Sequence, residues 1–257
     1  MEITWLKVPG WEKYVGLLHG FLGRTGGRST GPYAGLNLSF GVGDDARIVK
    51  DNMCDMKGAV GIHNGRVVTM KQVHGDNLIE IQDGNLKEAG EADGMLTQLS
   101  GIYLGVLTAD CVPILFVAPA RQLVAAVHAG WRGTSAGIAA KMIKVLLEEH
   151  SVLPSEVEVA LGPSIDACCY EIGADVVRSL TEKWDELAQA CIQTRRDRTY
   201  LNLRGLNHAI LHRAGVPQSQ IHLVGPCTSC ARDKFFSYRR DKSETGRQIS
   251  FIGWRAL

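Results

Sequence analysis

Apolar residues recur along this chain at two spacings, and the alternation between them outlines its elements. Val49, Met53, Met56 and Val60 share one helical face, and Gly61 stands as a stop signal behind them. Short runs rich in β-branched residues then read as strands at 66–70, 78–81, 101–107, 114–117 and 123–127. Ile138, Met142, Val145 and Leu146 predict a helix over 135–149, with Thr134 or Ser135 as its N-cap. A strand at 157–161 follows, and Val177, Leu180, Trp184, Leu187 and Cys191 outline another amphipathic helix. A third runs over 203–214, capped by Asn202 and stopped by Gly215. Segments 221–224 and 249–252 read as the final strands. Strands and helices mix without a regular βαβ rhythm. The expected class is therefore α+β rather than a doubly wound sheet.

The glycine-rich segment 23–45 is the longest stretch without periodicity, and loops of that length are often functional. No repeat, low-complexity tract or linker-like break interrupts the chain, so residues 1–257 read as one domain. The hydrophobic fraction of 45% and charged fraction of 21% exclude a disordered chain. Lys and Arg total 28 against 27 Asp and Glu, which leaves no electrostatic footprint for nucleic acid. The N-terminus lacks a secretory pattern, and no window is apolar enough to span a membrane. A cytoplasmic location with reduced thiols is the expectation, and the odd count of seven cysteines precludes complete pairing within the chain.

Three apolar runs end at once in reactive residues: VVTMKQVHGD, YLGVLTADCVPILF and LVAAVHAGWRGT. Their His74, Cys111 and His128 supply two imidazoles and a thiolate, the donors that zinc prefers, and leave a fourth position open. Gaps of this size are not those of a zinc finger, so two other readings stand beside it. Cys111 can be a small buried hydrophobe with His128 a satisfied strand-end histidine, or Cys111 and a histidine can form a nucleophile pair. Cys227 and Cys230 form a CxxC pair, and Cys168 and Cys169 are adjacent. Vicinal cysteines seldom present both sulfurs to one ion, so packing is their expected role. The same role is expected for Cys54 and Cys191 on helix faces. Near the C-terminus, Phe235, Phe236 and Tyr238 interleave with Arg239 and Arg240, a combination suited to a phosphate and a flat base, although such a run is ordinarily a solvated loop.

The segments KQVHG, ADGMLT, TADCVPILF, AAVHAGWRGT, LGPSI and FFSYRRDKSETGRQ, in this order, resemble the YfiH/laccase-domain family from about His19 onward. Its members have been called polyphenol oxidases and, more recently, purine nucleoside phosphorylases. The resemblance implies packed mixed sheets flanked by helices, and zinc held by His74, Cys111 and His128, with copper the ion of the older name. It also implies phosphorolysis of adenosine, inosine, guanosine and methylthioadenosine, with adenosine deamination as a second activity. Editing of peptidoglycan precursors, by a thiol or metal hydrolase, is the alternative it carries, and a copper polyphenol oxidase is another. Arg24, Asn37, Lys71, Arg132, Arg239 and Arg240 are the candidates for holding substrate and phosphate. Asp110 neighbours Cys111 but is not assigned the proton shuttle, because adjacent strand side chains face opposite ways.

Overall fold

The computed structural model of the chain describes residues 2–84, 88–242 and 244–256. Its strands are β1 (Trp5–Leu6), β2 (Leu17–Leu22), β3 (Arg66–Lys71), β4 (Leu78–Glu80), β5 (Glu88–Glu91), β6 (Gly94–Thr97), β7 (Ile102–Thr108) and β8 (Val112–Ala118). There follow β9 (Leu123–Ala129), β10 (Glu158–Leu161), β11 (Glu171–Ile172), β12 (Ile192–Arg195), β13 (Arg198–Leu201), β14 (Ile221–Leu223) and β15 (Gln248–Trp254). The helices are α1 (Ala46–Val60), α2 (Trp131–Ala136), α3 (Ile138–His150), α4 (Ala174–Cys191), α5 (Leu203–Arg213) and the single turn α6 (Tyr238–Asp241).

Two mixed sheets of six strands lie face to face, in the orders β1-β2-β15-β7-β3-β5 and β14-β10-β8-β9-β6-β4. Val68, Met70, Leu104 and Val106 of the first meet Leu115, Val117, Val124 and Ala126 of the second in a shared core. Ile114 and Phe116, the alternate residues of β8, face the other way onto Met142 and Leu146 of α3, Leu180 of α4 and Leu206 of α5. On the outer face of the first sheet, Met56 and Val60 of α1 cover Tyr103, Ile249 and Phe251. The result is four layers, helix on sheet on sheet on helices, as α+β patterning implies. Strands buried on both faces lose the polar alternation of a half-exposed strand, which is why β8 reads as VPILFVA.

The caps foreseen for the first and third helices are present. Asn202 accepts from the Gly205 N–H at 2.7 Å, and Gly61 ends α1 in a left-handed conformation. The helix expected over 135–149 is instead two, α2 and α3, broken at Gly137 (φ +93°), and neither has a side-chain cap. α4 kinks at Asp185 (φ +35°). Thr134 is fully buried and spends its hydroxyl on Asn207 Nδ2 at 2.9 Å. A β-carbon at position 137 would also lie 3.0 Å from the Trp184 ring. Gly137→Ala is expected to cost about 1–2 kcal/mol through the left-handed backbone alone, and thermal unfolding should show a fall of roughly 3–6 °C. One expectation for cysteine fails and one holds: Cys54 is exposed rather than packed, whereas Cys191 is half-buried against the helical core.

Candidate metal centre and active-site cavity

The β8–β9 hairpin carries two of the three proposed donors. Cys111 immediately precedes β8, while His128 sits near the end of β9, paired with Pro113. His74 lies just past β3 of the opposing sheet, so the donors meet where the ends of two sheets converge. One ligand atom from each lies within 4.8 Å of the others. The two imidazoles stand edge to face, with centroids 4.8 Å apart. A β-carbon at residue 130 would press on Cys111 Sγ and His74 Cδ2, each at 3.2 Å, so the glycine there makes room for the convergence.

A buried carboxylate, Asp93, holds this arrangement. Its oxygens accept from the N–H groups of Val73, His74 and Gly75 at 3.2, 3.0 and 2.6 Å, fixing His74 in a left-handed backbone (φ +61°). Asp93 Oδ1 also lies 2.8 Å from His128 Nδ1, which commits that nitrogen to the carboxylate and leaves Nε2 for Cys111 and an ion. Burial works against charge on Asp93, but the bonds from His128 and the Gly75 and His74 amides hold its carboxyl below the usual range. Burial likewise opposes a thiolate at Cys111, yet His128 and His74 bring the thiol down to about 6. His128 is driven up to about 9: burial opposes its charge, and Cys111 and Asp93 override it. The site is thus built to hold positive charge between a thiolate and a carboxylate, and the His2Cys donor set fits a zinc-type ion in place of that proton. Asp93→Asn is expected to weaken metal binding by about 10–100-fold, as lost support of a ligating histidine does, in competition against a chelator.

The three donors open into a cavity of about 800 Å³. That is the size of a small-molecule site. Phe40, Met70, Trp131, Tyr170 and Tyr238 supply apolar and aromatic walls, and Arg132, Arg239 and Arg247 bring three guanidinium groups to the same space. Arg132 lies over the Trp131 ring and Arg239 over Tyr170, while Arg239 also donates to the Glu171 carbonyl at 2.7 Å. None of the three is within ion-pairing distance of a carboxylate among the described residues. Burial lowers the Arg247 guanidinium from its ordinary range.

Of the six substrate candidates, Lys71, Arg132 and Arg239 line the cavity, with Lys71 paired to Glu91 at 2.7 Å. Arg24, Asn37 and Arg240 do not. Arg24 bonds the Ala34 carbonyl and lies over Phe236. Arg240 pairs with Asp241 and donates to the carbonyls of Thr228, Ser229 and Phe235. Asn37 is fully buried and ties Ser39 and the Arg247 N–H together, so it acts behind the wall rather than in it. Asp110 faces the cavity, but its oxygens are occupied by Thr228 and Ser237 hydroxyls and the Arg239 N–H. Asp93 and Arg247 were missed as individual residues. The signal for Asp93 was a carboxylate set between Ala92 and the run GMLT, where nothing but a buried partner justifies a charge.

Residues 18–255 match the family described as multi-copper polyphenol oxidoreductase laccase. The chain belongs to this family. Among curated members, it is 37% identical over 98% of its length to the purine nucleoside phosphorylase YlmD of Geobacillus stearothermophilus, covering 94% of that protein. It is 33% identical to the adenosine deaminase RL5 of an unknown prokaryotic organism, over 90% of each chain. The crystal structure of the Geobacillus YlmD superposes with a TM-score of 0.92 over 98% of this chain and 96% of that one, at 37% identity. That of Neisseria meningitidis protein NMB0706 gives 0.87 over the whole of both chains, at 31% identity. This family's layered mixed sheets are those found here.

Proposed function

We propose that this chain is a zinc-dependent purine nucleoside phosphorylase that also deaminates adenosine, folded as one domain and working in the cytoplasm. The observation that carries the reading is one cavity joining a His2Cys centre to three guanidinium groups. The names of YlmD and RL5 support it. Phosphorolysis needs a dianion beside C1′ of the ribose, and Arg132, Arg239 and Arg247 supply charge-assisted donors for one. Tyr170, Trp131 and Phe40 offer flat apolar faces to the purine. A phosphate oxygen then bonds to C1′ as the bond to the purine nitrogen breaks, and the departing base takes up a proton. His74, Cys111 and His128 would hold the ion, with Asp93 keeping His128 in the ligating tautomer. Zinc, when bound, supplies Lewis-acid polarisation and acidifies a water for deamination.

Incubation with inosine and phosphate should yield hypoxanthine and ribose 1-phosphate, with activity removed by chelation and restored by zinc. No product above that of a phosphate-free control would overturn the phosphorylase reading. Elemental analysis should find zinc without copper, and no oxygen should be consumed with phenols. The lowered Cys111 thiol supports a second reading, a thiol hydrolase acting on a peptidoglycan precursor. That reading requires activity that survives chelation and is lost on alkylation of Cys111.

A further inference from the structure

The cysteines set aside as packing come together elsewhere in the fold. The sulfurs of Cys168, Cys169, Cys227 and Cys230 all lie within 4.8 Å of one another. Cys230 Sγ is 3.4 Å from both Cys168 Sγ and Cys169 Sγ. Zinc–sulfur bonds of about 2.3 Å in a tetrahedron place the sulfurs roughly 3.8 Å apart, and the observed spread brackets that value. Cys230 stands equally near two partners, an arrangement suited to a common centre rather than to one disulfide.

The objection to vicinal cysteines applies to a strand, where neighbours face opposite ways. Here Cys168 and Cys169 lie in a tight turn, in which the Cys169 and Tyr170 N–H groups both donate to the Asp166 carbonyl at 2.9 Å. Successive side chains in such a turn diverge far less than in a strand, so both sulfurs reach one side. Opposite them, the 227–230 turn directs the N–H groups of Ser229 and Cys230 at the Cys227 sulfur, and the Asp166 N–H lies 3.4 Å from it. Amides aimed at a sulfur favour its thiolate, the form that ligates.

Cationic groups flank both turns, two of them shared with carboxylates, Arg204 with Asp166 and Arg240 with Asp241. Four thiolates around a divalent ion leave a net charge of −2, which a folded site must balance. Three arginines grip the backbone of the two turns or their flanks: Arg195 at the Ala167 carbonyl, Arg204 at the Val224 and Gly225 carbonyls, and Arg240 at those of Thr228 and Ser229. We propose that Cys168, Cys169, Cys227 and Cys230 form a second, structural zinc site that pins the 166–170 turn to the 227–230 turn. The ion is closed to substrate, because all four positions are thiolates. Its placement matters for the cavity: one turn ends in Tyr170, and the other carries Thr228, which holds Asp110 at 2.6 Å.

The full chain, dialysed against metal-free buffer, is expected to retain about two zinc ions by elemental analysis, one in each site. Cys230→Ser and Cys168→Ser should each lose one, and His128→Ala should lose the other. The exposed positions of Cys168 and Cys230 make both serine variants compatible with folding. In His128→Ala, which keeps only the four-cysteine site, a chelator should still lower the unfolding temperature. In the Cys230→Ser, His128→Ala double variant it should have no effect. All seven cysteines should titrate as thiols after unfolding in chelator without reductant. Unchanged zinc content in Cys230→Ser, iron in place of zinc, or two fewer thiols would each overturn the assignment. The measurements do not involve turnover, so they stand or fall apart from the phosphorylase reading.

Discussion

Replacing His128 with alanine is expected to lower purine nucleoside turnover by at least ~10³-fold, because metal polarisation worth several kcal/mol is removed at about 1.4 kcal/mol per decade. His128 is 3% exposed and does two things at once. It presents one nitrogen to Cys111, and to the ion of the proposed metal centre, and it receives the buried Asp93 carboxylate on the other. Alanine therefore removes a ligand and also strands a buried charge, so stability must fall with activity. Cys111→Ser separates the two effects. It replaces the sulfur while leaving the Asp93–His128 bond intact, so its thermal stability in the metal-free state should stay near that of the parent. Its turnover at saturating substrate should collapse by a similar factor. Steady-state rates with inosine and phosphate, set beside unfolding curves in chelator, give the comparison. Retained turnover in Cys111→Ser would remove the thiolate from the mechanism.

Asp110→Ala is expected to produce the largest loss of stability, about 3–5 kcal/mol, because three donors lose their acceptor in a buried setting. The carboxylate accepts from Thr228 Oγ1 at 2.6 Å, Ser237 Oγ at 3.0 Å and the Arg239 N–H at 2.7 Å. These partners are more than a hundred residues away in the chain, so one side chain ties the start of β8 to the C-terminal cavity wall. Asp110 also holds φ at +98°, a conformation that alanine adopts poorly. Asp110→Asn should cost less, roughly 1–2 kcal/mol, since its amide can face the rotatable Thr228 hydroxyl while its oxygen keeps the other two donors. Calorimetry should show a fall of about 10 °C for alanine and about half of that or less for asparagine. Equal losses would mean that the negative charge, which both variants lack, rather than the hydrogen-bond pattern or the backbone conformation, carries the effect.

Much of the layering was legible because burial leaves its period in the chain. β8, β9 and β15 are apolar runs bounded by polar residues, and α1 and α5 carry both their stripe and their stop or cap. Other elements were hidden for definite reasons. Gly137 breaks the helix by its backbone conformation, and a glycine within an otherwise helical pattern does not announce that it will turn left-handed. The strand β2 (LLHGFL) mixes a histidine and a glycine into its run, and the short β11 is recognisable through its pairing with β13.

The candidate site divides in the same way. His74, Cys111 and His128 stand in recognisable segments because reactive residues directly follow apolar strands, a property local to each segment. Residue type made these three available as donors and the family resemblance singled them out, while composition left a net charge of only +1. Their meeting depends on β3 lying in one sheet and the β8–β9 hairpin in the other, a fact of packing. Arginine residues of equal chemistry were likewise separated only by the fold: Arg239 and Arg247 line the cavity while also donating to backbone carbonyls, whereas Arg24 and Arg240 lie outside it, held by backbone carbonyls and Asp241. The four cysteines at 168, 169, 227 and 230 show the limit most sharply. Adjacency in sequence argued against a shared ion, and a tight turn removed that objection by setting both sulfurs on one side. The chain's pattern determines which groups are available, since propensity and burial act over a few residues. Which groups share a few ångströms is decided by long-range packing, because distances between sheets and loops are set by the core as a whole.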